Sequence, residues 1–220
     1  GESRNIVAFT GAGCSTESGI PDFRSVDGLY RQTFDDPPET ILSHSFFLEH
    51  PESFYRFYRE KLLPLDAAPN AAHKKLAQWE QEGRLRAVVT QNIDGLHQKA
   101  GCRKVYELHG SVYRNHCMQC RRAFGPETVR DSVSLPLCDR CGSLIKPDVV
   151  LYEEELDEAC IQGAVDAIRH ADLLIVGGTS LTVYPAAGLL QYYRGHRLVL
   201  INRDVTPVDQ RADLVLRAPI

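Results

Sequence analysis

Five short apolar runs recur along the chain, at residues 5–9, 85–90, 104–108, 173–176 and 197–201. Their apolarity is near-continuous where a half-exposed strand would alternate, the pattern of strands buried on both faces. Helical patterns lie between them. Asn70 is placed to cap a segment that runs through Trp79 and stops at Gly83, and Leu156, Cys160, Ala164, Val165 and Ile168 mark one face of another. Pro185 suits the first turn of a further helix. Strands alternating with helices predict an α/β fold on a parallel sheet.

Two stretches break the alternation. Residues 32–69 are rich in aromatics, Pro and His, with a helical centre at 51–63, and predict a helical insertion. Residues 116–142 are short, polar and cysteine-paired, and predict a second inserted module. The expected partition assigns 1–31, 70–115 and 143–220 to the main domain, and the two insertions to a smaller one.

With 220 residues, 43% of them hydrophobic, the chain can bury a full core, and a disordered chain is excluded. A formal charge of −4 gives no electrostatic reason to expect nucleic acid or an anionic membrane as the main partner. No apolar run reaches membrane-spanning length and no signal-peptide pattern opens the chain, so a soluble, intracellular protein, assigned to the cytoplasm, is expected. A monomer is expected.

The candidate chemistry sits where strands end. The first strand runs into Gly11-Ala12-Gly13-Cys14-Ser15-Thr16, a small-residue turn whose backbone N–H groups can approach a phosphate. The full dinucleotide fingerprint would have a third glycine where Thr16 stands, so this is not the ordinary dehydrogenase loop. Downstream, Asp22, Phe23 and Arg24 lie in a Pro-containing loop that could fold over a nucleotide, with Arg24 suited to a phosphate or carboxylate. The strand at 85–90 empties into Gln91-Asn92-Ile93-Asp94, and the next into His109-Gly110. Strand C-termini line the ligand crevice of a parallel sheet, so an amide, a carboxylate and an imidazole should converge there. Gly178-Thr179-Ser180 and Asn202-Arg203 end two later strands and are placed to contact the adenosine half of a nucleotide.

Seven cysteines is an odd number, and four fall in two pairs, Cys117-x-x-Cys120 and Cys138-x-x-Cys141, seventeen residues apart. That spacing suits a tetrahedral thiolate zinc site, structural because four protein ligands leave no open position. A nucleic-acid-binding zinc ribbon is the rival reading, supported by nearby Arg114, Arg121 and Arg122 but lacking a stacking platform. Cys14, Cys102 and Cys160 lie in or beside apolar stretches and read as small buried hydrophobes.

In this order, the motifs resemble the sirtuin family, with a bacterial-type catalytic core: Gly11-Ala12-Gly13 with Gly19-Ile20-Pro21-Asp22-Phe23-Arg24, Thr90-Gln91-Asn92-Ile93-Asp94, Leu108-His109-Gly110, the four cysteines, Gly178-Thr179-Ser180-Leu181 and Ile201-Asn202. The resemblance implies a Rossmann-type large domain, a small domain carrying structural zinc, and a cleft that takes NAD as co-substrate and acetyl-lysine proteins or peptides as partners. It implies NAD contacts from Gly11, Ala12, Gly13, Thr16, Asp22, Phe23, Arg24, Gln91, Ile93, Gly178, Thr179, Ser180, Asn202 and Arg203, and a catalytic set of His109, Asn92 and Asp94. Asp94 would hold the nicotinamide carboxamide. His109 would act as general base after the acyl oxygen attacks C1′ of the nicotinamide ribose.

The same likeness puts the substrate peptide along Val149, Val150, Leu151 and Tyr152, and the acyl group near Tyr55 and Tyr58. Members that prefer acidic acyl groups carry Tyr-x-x-Arg there; Tyr58 stands in place of the arginine, which implies deacetylation over desuccinylation. Glu153 stands where many members have glycine. An ADP-ribosyltransferase using the same first bond cleavage, and a non-catalytic NAD-binding zinc scaffold, are the alternative functions.

Overall fold

The computed structural model of the chain describes residues 3–23 and 36–220. Its centre is a six-stranded sheet of β1 (Ile6–Thr10), β2 (Leu85–Thr90), β3 (Val105–Glu107), β7 (Leu173–Gly177), β8 (Leu198–Ile201) and β9 (Leu214–Leu216), in the order β3-β2-β1-β7-β8-β9 with every neighbour parallel. Counting only these strands, the order is 3-2-1-4-5-6, that of the doubly wound dinucleotide-binding fold, and it reverses between β1 and β7.

Apolar residues at successive strand positions serve opposite faces. Val7 and Phe9 of β1 pack with helix α7 (Glu158–Arg169) and the 3₁₀ helix Ala186–Tyr192, while Ile6 and Ala8 pack under helix α4 (Ala71–Gln81). Both layers are buried, which is why the run is continuous in sequence. The helix expected at Pro185 is thus built from tighter 3₁₀ turns. Asn70 caps α4 as expected, its side chain accepting from the N–H groups of Ala72 and His73.

Register carries the functional point. Thr10 pairs with Thr90 and with Gly177, Thr90 with Glu107, and Gly177 with Ile201, so the central strands end level. Their following loops all leave from one edge.

A second, three-stranded antiparallel sheet contains β5 (Ala123–Phe124), β4 (Gly110–Cys117) and β6 (Ile145–Val149), in the order β5-β4-β6. Residues 110–115 and 145–149, expected with the large sheet, pair here instead, because β4 and β6 bond to one another. Against this sheet pack α1 (Pro38–Ile41), α2 (His44–Glu49), α3 (Pro51–Lys61) and α6 (Pro126–Arg130). Helix α5 (Leu96–Ala100) follows β2 and lies beside α4. No described helix is long and apolar enough to cross a membrane.

Candidate active site

A cleft of about 380 Å³ opens where the level strand ends meet the smaller sheet. Loops after β1, β2, β3, β7 and β8 supply Gly11–Gly13 and Thr16, Gln91–Asp94, His109, Gly178–Ser180, and Asn202–Arg203. The smaller sheet and helical insertion supply Val149–Tyr152, Leu42, Lys61 and Leu62.

Two loops interlock at the reversal point. The N–H of Gly13 donates to the carbonyl of Gly178 at 2.8 Å, and that of Gly11 to Gly177 at 3.2 Å. Gly178 has φ +61°, and a Cβ there would collide with the backbone of Gly13 and Cys14. Only glycine meets both demands.

The polar cluster is built on a buried hydroxyl. Ser15 donates to Asp94 Oδ2 at 2.6 Å and accepts from Asn92 Nδ2 at 3.0 Å. The Leu96 N–H donates to Asp94 Oδ1 at 2.9 Å, and the Asn92 N–H to Thr90 Oγ1 at 3.1 Å. Asn92 and Asp94 are thereby held at fixed angles to the cleft. Gln91 Nε2 donates to Thr179 Oγ1 at 3.0 Å, tying the β2 loop to the β7 loop.

His109 lies half-buried on the cleft wall, its Nδ1 2.9 Å from the carbonyl oxygen of Gln91. A carbonyl only accepts, so Nδ1 carries the proton and Nε2 keeps the free lone pair. Burial lowers the pKa of His109, an effect the Gln91 hydrogen bond partly opposes. Next to it, Gly110 has φ +75° and leaves no room for a Cβ against the Asp148 carbonyl, so the turn that presents His109 requires glycine. His97, the other histidine of this region, is fully buried behind the cleft; burial, reinforced by His73, pushes its pKa down to about 3.

Most expected site residues therefore converge, and two do not. Tyr55 and Tyr58, expected at the acyl group, have no exposure and line no part of the cleft. They belong to an aromatic cluster with Phe47 and Phe54, and the Tyr55 hydroxyl donates to the Ile145 carbonyl. Arg24 lies outside the described residues. In the other direction, Ser15 has no motif of its own beyond the glycine loop, and Ala218, Pro219 and Ile220 line the cleft without any sequence motif.

The segment expected to receive the peptide, Val149–Tyr152, begins at the end of an edge strand. Among the described residues β6 has only β4 beside it, and the Val150 N–H donates to the His109 carbonyl at 3.0 Å. Tyr152 is committed elsewhere: its N–H donates to Leu42 and its carbonyl accepts from His44. Glu153, at the position of the family glycine, takes φ +74°, and its carboxylate accepts from the N–H and hydroxyl of Ser45 at 2.9 and 3.0 Å. The backbone there is left-handed despite the side chain, whose carboxylate anchors the N-terminus of α2.

The four cysteines form the other centre. Their sulfurs lie within 4.8 Å of one another, with Cys117 and Cys141 at 3.4 Å and Cys120 and Cys138 at 3.6 Å. Zinc at about 2.3 Å from each sulfur sets neighbouring sulfurs about 3.8 Å apart, so the set fits a structural zinc with little adjustment. The Cys120 N–H points at the Cys117 sulfur, 3.4 Å away, as a metal-bound thiolate favours. Of the nearby arginines, Arg114 is paired with Glu107 and Asp148, and Arg122 with Asp139.

The Sir2 family model matches residues 11–185. The chain belongs to the Sir2 family. A relative from Clostridium acetobutylicum, named NAD-dependent protein deacetylase, is 58% identical over 98% of this chain and 89% of its own length. One of the same name from Clostridium perfringens is 55% identical over 99% of this chain and 91% of its own. Among solved structures, a Sir2 with deacetylated p53 peptide and 3′-O-acetyl-ADP-ribose superimposes with a TM-score of 0.92 at 43% identity, covering 99% of this chain and 89% of that one. A Sir2 with p53 peptide and NAD⁺ gives 0.87 at 44% identity, with the same coverage.

Proposed function

We propose that this Sir2 member is an NAD-dependent protein-lysine deacetylase that consumes NAD and releases deacetylated lysine, nicotinamide and O-acetyl-ADP-ribose. The observation that carries the reading is the tautomer of His109: the Gln91 carbonyl holds Nδ1–H, leaving a neutral, half-buried Nε2 as the base. An imidazole kept neutral at pH 7 suits proton abstraction from a ribose hydroxyl. NAD, when bound, supplies the electrophilic ribose carbon and the leaving nicotinamide.

The chain's own residues divide the remaining work. Backbone groups of Gly11–Gly13, with Thr16, Gly178–Ser180, Asn202 and Arg203, would hold the nucleotide at the strand ends. Asp94, fixed by Ser15 and Leu96, would accept from the nicotinamide carboxamide, and Asn92 would orient the ribose. Phe23 lines the same cleft, where it would shield the reacting carbon from water. The peptide would add as a strand along β6, bringing its acetyl-lysine toward His109. The enzyme is proposed to act as a monomer. Four free thiolates held for zinc suit a reducing compartment, and a cytoplasmic enzyme is proposed.

The reading is tested by incubating the protein with NAD and an acetyl-lysine peptide and identifying the products. Free NAD hydrolysis with the peptide unchanged would contradict it.

A further inference from the structure

Behind the glycine loop, away from the cleft lining, Cys14, His73 and His97 come together from β1's loop, α4 and α5. A ligand atom of each lies within 4.8 Å of the others, and all three side chains are at most 1% exposed. Each histidine has one nitrogen satisfied. His73 Nδ1 lies 2.9 Å from Asn70 Oδ1 and 3.3 Å from the Asn70 backbone nitrogen, and the shorter contact, with Nδ1–H donating to Oδ1, leaves the lone pair on Nε2; His97 Nε2 is 3.0 Å from Thr10 Oγ1. The remaining nitrogens, His73 Nε2 and His97 Nδ1, are buried with no hydrogen-bond partner among the described residues. Imidazoles held by one nitrogen, with the other left bare, in a cluster that also holds a thiol, have the arrangement of metal ligands fixed by an outer hydrogen bond.

We propose that Cys14, His73 and His97 form a second metal site, which binds one copper(I) ion. One sulfur and two imidazoles in a trigonal set match copper better than zinc, which would seek a fourth ligand. Charge points the same way. Binding replaces the Cys14 thiol proton, released to solvent, with Cu⁺, so the thiolate, two neutral imidazoles and the ion sum to zero in dry surroundings. Metal–donor bonds of about 2.0–2.3 Å set the donors about 3.5 Å apart, so the ligands need draw in by little more than about 1 Å. No electron is transferred.

The test uses the full chain with zinc in its four-cysteine module. It is exposed anaerobically to copper(I) buffered by a weak chelator and desalted, and copper and zinc are then counted per protein. Wild type should keep one copper and its zinc. The near-isosteric Cys14→Ser should keep the zinc and bind copper at least tenfold more weakly. X-ray absorption on the copper-loaded wild type should find one sulfur and two imidazole nitrogens around the metal, a readout independent of any variant. Copper gained only as zinc is lost, equal binding by Cys14→Ser, or an all-sulfur copper environment would each overturn the proposal.

Discussion

The Nδ1–H of His109 donates to the carbonyl oxygen of Gln91 across 2.9 Å, binding the second residue after β3 to the first residue after β2. The pair sets which nitrogen is basic, and burial sets when it is free. With the His109 pKa lowered from 6.5, the neutral form persists to lower pH than in an exposed histidine. The required base is the neutral form, so kcat/KM should fall as pH drops, with a midpoint below 6.5, and stay level through neutrality. A midpoint above 7 would mean that a different group governs the acid limb.

Ser15 joins Asn92 and Asp94, and its hydroxyl has no substitute in alanine. Removing a hydrogen bond to a buried carboxylate costs about 1.5–3 kcal/mol, so Ser15→Ala should lower kcat/KM by roughly ten- to a hundredfold. Steady-state kinetics with the folded variant decides it; an unchanged kcat/KM would remove Ser15 from the site.

Five of the six strands of the large sheet were legible because parallel strands covered on both faces leave unbroken apolar runs, whereas β9, three residues long and largely exposed at the sheet edge, was not; the chemistry was legible because the fold aims these strands at one edge. The residue 85–90 run became β2 with the same ends. The smaller sheet was not legible: β4 reads Gly-Ser-Val-Tyr-Arg-Asn-His-Cys, with neither a continuous nor a clean alternating pattern. Nor could periodicity orient α3. Phe54, Tyr55, Phe57 and Tyr58 are all buried, so the helix is covered on more than one side and spacing alone does not say which side meets the cleft. Ser15 carried no signal because its partners, Asn92 and Asp94, are more than seventy residues away in sequence.

Tyr58 follows from that correction. Its hydroxyl is buried with no hydrogen-bond partner among the described residues. Leaving such a group unsatisfied costs about 1–3 kcal/mol, so Tyr58→Phe should raise the melting temperature by roughly 2 °C or more. Tyr58→Arg would put a guanidinium into the aromatic cluster and should destabilise the protein rather than open it to acidic acyl groups. Differential scanning calorimetry of both variants checks the pair, and a Tyr58→Phe protein that melts lower would refute the assignment.

The four-cysteine cluster sits at the end of the β4–β6 ladder, with Cys117 paired to Ile145. Stripping zinc should melt this module and, through β6, the peptide edge, with activity lost alongside the fold. Circular dichroism and turnover measured before and after chelation test this. Metal-free protein that kept its melting temperature and its activity would show that the cluster does not need the ion.

The most direct measurement is mass spectrometry of a reaction containing NAD and an acetyl-lysine peptide, run with wild type and with His109→Ala. Wild type should give deacetylated peptide, nicotinamide and O-acetyl-ADP-ribose in equal amounts. The variant should lose at least a hundredfold in turnover while binding NAD within a few-fold of wild type. An ADP-ribosylated peptide that keeps its acetyl group, or full turnover without His109, would contradict the account.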